Sequence, residues 1–190
     1  MSDVLESPQI TDPNSVPFIG TAVRTGVIGG LVFIVYGMII TITGLSMPSN
    51  GFGFMFLNLF ISLGLSAGIG AMAVKKHRDD ELGGYIPFGR AFLTAIVAIT
   101  VAGILSAAFN YFYQTVIDPE LLPTMVEQME EMYEKMGMSE SQIETAMEQV
   151  RDGFEPSKMF VQGLMYAVIG GGIISLIVAA IMKKNPEVQL

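Results

Sequence analysis

The chain has 190 residues, of which 51% are apolar and 15% charged, and it carries 21 glycines, no cysteine and no tryptophan. Without cysteine there are no disulfides, thiolate metal sites or thiol catalysis, and a formal net charge of −8 argues against nucleic acid as a partner. Three stretches hold no charged residue at all, Thr25 to Val74, Ala91 to Ile117 and Met159 to Met182; a water-soluble chain is excluded, because each is long enough to cross a bilayer core of about 30 Å as helix.

Residues 1–20 read as a flexible tail, since Pro8, Pro13 and Pro17 disfavour helix and nothing there can bury a core. Residues 1–20 hold no Lys or Arg, and the first apolar run is a full span, so a cleavable signal peptide is not expected. The first charge-free stretch is about twice what one crossing needs, and it is broken at Ser46-Met47-Pro48-Ser49-Asn50-Gly51, so it holds two helices. The spacing predicts spans over 25–45, 52–74, 91–117 and 159–182 inside a membrane domain of residues 21–184, followed by a short tail over 185–190. Arg24, Lys75, Lys76, Arg78, Arg90, Lys183 and Lys184 then fall on one side. Basic residues near span ends stay in the cytoplasm, which puts both termini inside. His77, between Lys76 and Arg78, reads as part of that basic anchor.

Between the third and fourth spans, residues 118–158 carry eleven carboxylates against Lys135, Arg151 and Lys158. The acidity of the chain is therefore local. Leu121, Leu122, Met125, Val126, Met129, Met132, Tyr133 and Met136 recur at helical spacing up to a stop at Gly137. A second helix opens at the capping box Ser139-Glu140-Ser141-Gln142, with Ile143, Ala146, Met147, Val150 and Phe154 on one face, and ends at Gly153 and Pro156. The fold class expected is all-α integral membrane, four transmembrane helices with an acidic extracytoplasmic helical hairpin between helices 3 and 4. Glu127, Glu130, Glu131 and Glu134 form a candidate face for a cation or a basic partner, but such a row more often only keeps a helix solvated. No loop suited to calcium accompanies it. Met125, Met129, Met132 and Met136 read as packing surface rather than a Cu(I) site.

Inside the membrane, Gly163, Ala167, Gly171, Ser175 and Ala179 repeat every fourth residue of the last span and make a helix-packing face. Gly26 with Gly30, and Gly64 with Gly68, add two GxxxG pairs. Packing within one chain is preferred over a dimer seam, because four helices already offer partners. No Asp, Glu, Lys, Arg or His lies within a predicted span, which weighs against proton-coupled or ion-coupled transport. Asn58 and Asn110, with Gln114, Gln162, Thr41 and Thr43, either bond across helices or line a shallow outward-facing polar cavity. No nucleophile with a partner and no metal motif stands out, so neither an enzyme nor a cofactor is expected.

Two segments carry a resemblance to a known family: Lys75-Lys76-His77-Arg78-Asp79-Asp80-Glu81-Leu82-Gly83-Gly84-Tyr85-Ile86-Pro87-Phe88-Gly89-Arg90-Ala91-Phe92, and Asp118-Pro119 followed by Met138-Ser139-Glu140-Ser141-Gln142-Ile143-Glu144. With the organisation over residues 24–184 they resemble the small four-span bacterial membrane proteins known as domain of unknown function 4199. The resemblance implies a bacterial inner-membrane location and carries no activity or catalytic residue across. On the residues themselves, a non-enzymatic scaffold or accessory subunit that meets the bilayer and a protein partner or further copies of itself accounts for most features. The alternative is a small channel or facilitator for a neutral or weakly polar solute.

Overall fold

A computed structural model describes residues 12–185, so the tail assignments over 1–11 and 186–190 lie outside the described residues. Six helices follow one another: α1 Ile19–Ile42, α2 Phe52–Lys76, α3 Phe88–Phe112, α4 Leu121–Lys135, α5 Glu140–Gly153 and α6 Pro156–Met182. A 3₁₀ turn, Pro48–Asn50, joins α1 to α2, and wide π turns extend α2 through His77–Glu81 and α3 through Tyr113–Ile117. Four of these helical segments, α1, α2, α3 and α6 with the π turns included, are long and apolar enough to cross a membrane. Among the described residues there is no strand, only a two-residue bridge between Ile86 and Lys184. All four spans run past their charge-free stretches: α1 begins before Arg24, α2 with its turn carries Lys75 to Glu81, α3 begins before Arg90 and α6 before Lys158. Long basic side chains at a helix end permit this, because they reach the interface while their stems stay apolar.

α3 is the central helix, packed along its length on α1 and on α6. Small residues make this approach close. A methyl added at Gly26 would meet the Ala98 carbonyl and Val101, and one at Gly30 would meet Leu105. On the other side, a methyl at Gly103 would fall closer than 3.0 Å to the Ala167 methyl, one at Gly163 would lie 3.2 Å from Ala107, and one at Gly171 3.0 Å from Ile99. Ala167, Gly171, Ser175 and Ala179 of α6 are buried there. Lipid tails are as apolar as the helices, so contact of this kind, rather than burial from water, holds the spans together.

α2 is attached differently at its two ends. Its buried residues, Ile69, Gly70, Ala73 and Val74, all lie in the half that leads to His77, and Gly29 of α1 presses on Ile69 there. In the other half Met55, Phe56, Leu57, Leu59 and Phe60 are exposed. Gly64 and Gly68 have nothing within 4 Å of where a methyl would stand, so this GxxxG pair closes no contact within the chain. α2 thus leans onto the bundle at one end and stands away from α3 and α6 at the other.

Beyond that open end, α4 lies against the Pro48–Asn50 turn and pairs with α5. Leu121, Leu122 and Met147 are buried, and Arg151 of α5 meets Glu130 of α4 at 3.3 Å. Gly137 turns the chain between the two helices with φ +78°. The capping box is present: the Ser139 amide donates to Gln142 Oε1 at 2.9 Å.

Candidate functional site

The two ends of the bundle are built from opposite materials. At the end where the basic residues gather, His77 is fully buried and both its ring nitrogens are engaged. Nδ1 lies 2.6 Å from Glu81 Oε2, one turn along the same helical segment. Arg90 Nε donates to Nε2 at 3.2 Å from the start of α3. Because an arginine N–H can only donate, Nε2 carries no proton and the Nδ1–H faces the carboxylate. Glu81 also accepts from the Thr21 hydroxyl of α1, and Arg90 Nη2 donates to the Val16 carbonyl. The Arg90 guanidinium stands 4.7 Å over the Phe18 ring, and that ring lies 6.4 Å from His77. One cluster therefore ties the segment before α1, α1 itself, the end of α2 and the start of α3.

α6 is tied to the same end. Ile86 and Lys184 exchange two backbone hydrogen bonds of 2.9 Å, and Arg78 Nη1 donates to the Met182 carbonyl at 3.3 Å. The turn that brings Ile86 into place needs Gly83 and Gly84, whose φ values of +67° and +92° favour glycine. Arg78 also pairs with Asp79 at 2.7 Å. His77 is therefore not an exposed member of a basic anchor. Its surroundings come from its own turn, from Arg90 at the start of the next span and from residues 16–21 far back in the chain, and local charge alternation gave no sign of the last.

At the other end, the standing-away of α2 leaves a cleft of about 520 Å³. α3 is its floor, α2 and α6 are its walls, and it is open along one side. The lining is mostly apolar, with Ser62 and Ser66 on α2 and Ser106, Asn110 and Gln114 on α3. The α2 serines are satisfied within their own helix, donating to Asn58 O and Ser62 O at 2.9 Å each. Asn110 donates Nδ2 to Ser106 O at 2.9 Å. The cleft stops at the level of Ile99, Gly171 and Ile174, short of the His77 cluster. Met159 is shared with a hollow under α5, and Gln114 with a hollow against α4, so the short helices border its mouth.

Asn58 and Asn110 do not share this site. The Asn58 carboxamide accepts from the Tyr36 hydroxyl and joins α2 to α1, whereas Asn110 faces the cleft. Of the four glutamates, Glu127, Glu131 and Glu134 are exposed, Glu131 pairs with Lys135 at 3.2 Å, and Glu130 is turned toward Arg151. They do not converge, and among the described residues no group of three His, Asp or Glu side chains could hold a metal ion. Gln114 was legible in the sequence as a polar residue near a span end. The hollow it borders depends on the lean of α2, which no local pattern encodes.

Comparison with curated proteins and with solved structures gives no match. Residues 24–184 match the family described as Protein of unknown function (DUF4199), which covers the four spans together with α4 and α5, and the chain belongs to that family.

Proposed function

We propose that this protein is a non-enzymatic accessory subunit or scaffold of the bacterial inner membrane, with both termini cytoplasmic and the acidic α4–α5 hairpin outside. The observation that carries the reading is the unequal build of the bundle. Its cytoplasmic end is sealed by the His77–Glu81–Thr21–Arg90 cluster and the Ile86–Lys184 bridge. Its outer end is open, with the cleft bordered by α4 and α5. A conduit needs a path through both ends, whereas a subunit that holds a partner from outside needs one presenting face and a rigid base. The charge-free interior fits the same reading, because coupled transport places ionisable groups at depth. Orientation rests on the seven basic residues gathered at the sealed end.

Liposome reconstitution tests the function against its alternative. The accessory reading expects no flux of glycerol or urea above that of empty liposomes. Flux that disappears in Asn110→Ala would replace it with the facilitator reading.

A further inference from the structure

We propose that the cleft between α2 and α6 is a binding slot for one acyl chain of a bilayer phospholipid, with its ester end held at Asn110 and Gln114. The inference stands independently of the accessory role. Three features of the slot select this occupant.

Dimensions come first. From Gln114 to Ile99 the floor helix rises about 22 Å at 1.5 Å per residue. A volume of about 520 Å³ spread over that length leaves a bore about 5–6 Å across, roughly one and a half carbon–carbon contacts of about 3.5–4.0 Å. A single extended hydrocarbon chain fits. A transmembrane helix, about 10–12 Å across with its side chains, does not.

Polarity comes second. Asn110 and Gln114 stand one turn apart on the floor. Asn110 spends one N–H on Ser106 O. Its Nδ2 also lies 3.5 Å from the Ser106 hydroxyl, whereas among the described residues the Gln114 carboxamide has no protein partner and is the donor left for a ligand. Free donors inside a span are costly, and ester carbonyls, which only accept, would satisfy them. Gln114 also lies within about 6 Å of Asp118 along the helix, where the charge-free run ends and the ester layer of a bilayer begins.

Access comes third. Leu59, Leu63, Tyr111 and Tyr166, which line the slot within the charge-free stretches, are exposed, so its rim meets the lipid-facing surface, and its lower part, at Ile99, Ile174 and Gly171, is apolar. Water does not stably fill so apolar a hollow, and leaving it empty would forfeit the dispersion contacts of its lining.

Gly170 supplies the test. It lines the slot, and a methyl built there meets nothing within 4 Å, so the Gly170→Leu side chain starts in open space and extends into the bore. Gly68→Leu, also in open space but outside the slot, is the control. The purified full chain is placed in phosphatidylethanolamine–phosphatidylglycerol vesicles holding a tracer phospholipid with an acyl-chain diazirine. After photolysis, adducts are mapped by mass spectrometry against those at the lipid-facing residues Ile173, Ile177 and Ile181. In the native chain, adducts are expected at slot residues of α3 and α6. In Gly170→Leu they should fall about tenfold relative to the lipid-facing set, the scale expected if the chain must overpack against the added leucine. Gly68→Leu should match the native chain. Slot adducts that are absent from the native map overturn the proposal without recourse to any variant. Slot adducts undiminished in Gly170→Leu overturn it as well, and stronger slot labelling by a free fatty acid carrying the same diazirine overturns the choice of phospholipid.

Discussion

The α3–α6 crossing is the contact on which the bundle depends most directly, and Gly103→Ala probes it with one methyl. That methyl would sit closer than 3.0 Å to the Ala167 methyl and 3.3 Å from the Ala167 Cα. Carbon atoms pack at about 3.5–4.0 Å, so the helices must part by about 1 Å. Overpacking of this kind costs about 1–3 kcal/mol. Glycine to alanine also raises helix propensity by about 1 kcal/mol, which partly masks the loss. Gly170→Ala makes the same change of propensity in open space, so the difference between the two variants isolates the contact. Gly103→Ala should therefore be about 1–3 kcal/mol less stable than Gly170→Ala, with Gly163→Ala, at 3.2 Å from Ala107, in between. Adding Ala167→Gly to Gly103→Ala removes the opposing methyl and should recover most of the loss. The assay is reversible unfolding in mixed micelles followed by circular dichroism, read as a double-mutant cycle. Equal stability of Gly103→Ala and Gly170→Ala, or no recovery in the double variant, would refute the packing argument.

Three further outcomes follow from the geometry. Arg90→Lys keeps the charge but cannot at once donate to His77 Nε2, reach the Val16 carbonyl and lie flat over Phe18; limited proteolysis should cut residues 12–18 faster than in the native chain, and unchanged protection would count against the cluster. Tyr36→Phe removes the donor to Asn58 and should cost about 0.6 kcal/mol, the usual size of a hydrogen bond between membrane helices, with Asn58→Leu alone and the double variant testing whether the effects are coupled. At the start of α6, the Ser157 hydroxyl and then Lys158 hold the Glu155 carboxyl below its ordinary range. Its contribution is thus present above the ordinary carboxylate range and lost as pH falls through the lowered value; amide exchange over residues 155–159 should quicken there, and exchange that ignores pH after correction for its intrinsic rate would contradict it.

The parts of this architecture that obey local rules could be read from the sequence. Charge-free runs mark the four apolar helices, the break at Ser46–Gly51 separates the first two, and Ser139 to Gln142 caps α5 as its spacing requires. What could not be read depends on one helix leaning on another. His77, Glu81 and Arg90 look like members of a run of alternating charges, and only the fold reveals that Thr21, Val16 and Phe18 close around them. Gly64 and Gly68 carry the same signature as Gly26 and Gly30, yet only the latter pair meets α3. A GxxxG motif states that close approach is allowed and says nothing of which face is approached. The cleft is the counterpart of the same lean, and its polar residues sit on two helices whose separation no periodicity predicts.

The accessory role is tested most directly by the intact-complex mass of this protein after gentle extraction from native membranes. The account predicts a stoichiometric complex of the 20.5 kDa chain with a second protein, and loss of that protein when residues 118–158 are removed while membrane insertion persists. The chain recovered alone, as monomer or homo-oligomer, or a partner retained without those residues, would contradict it.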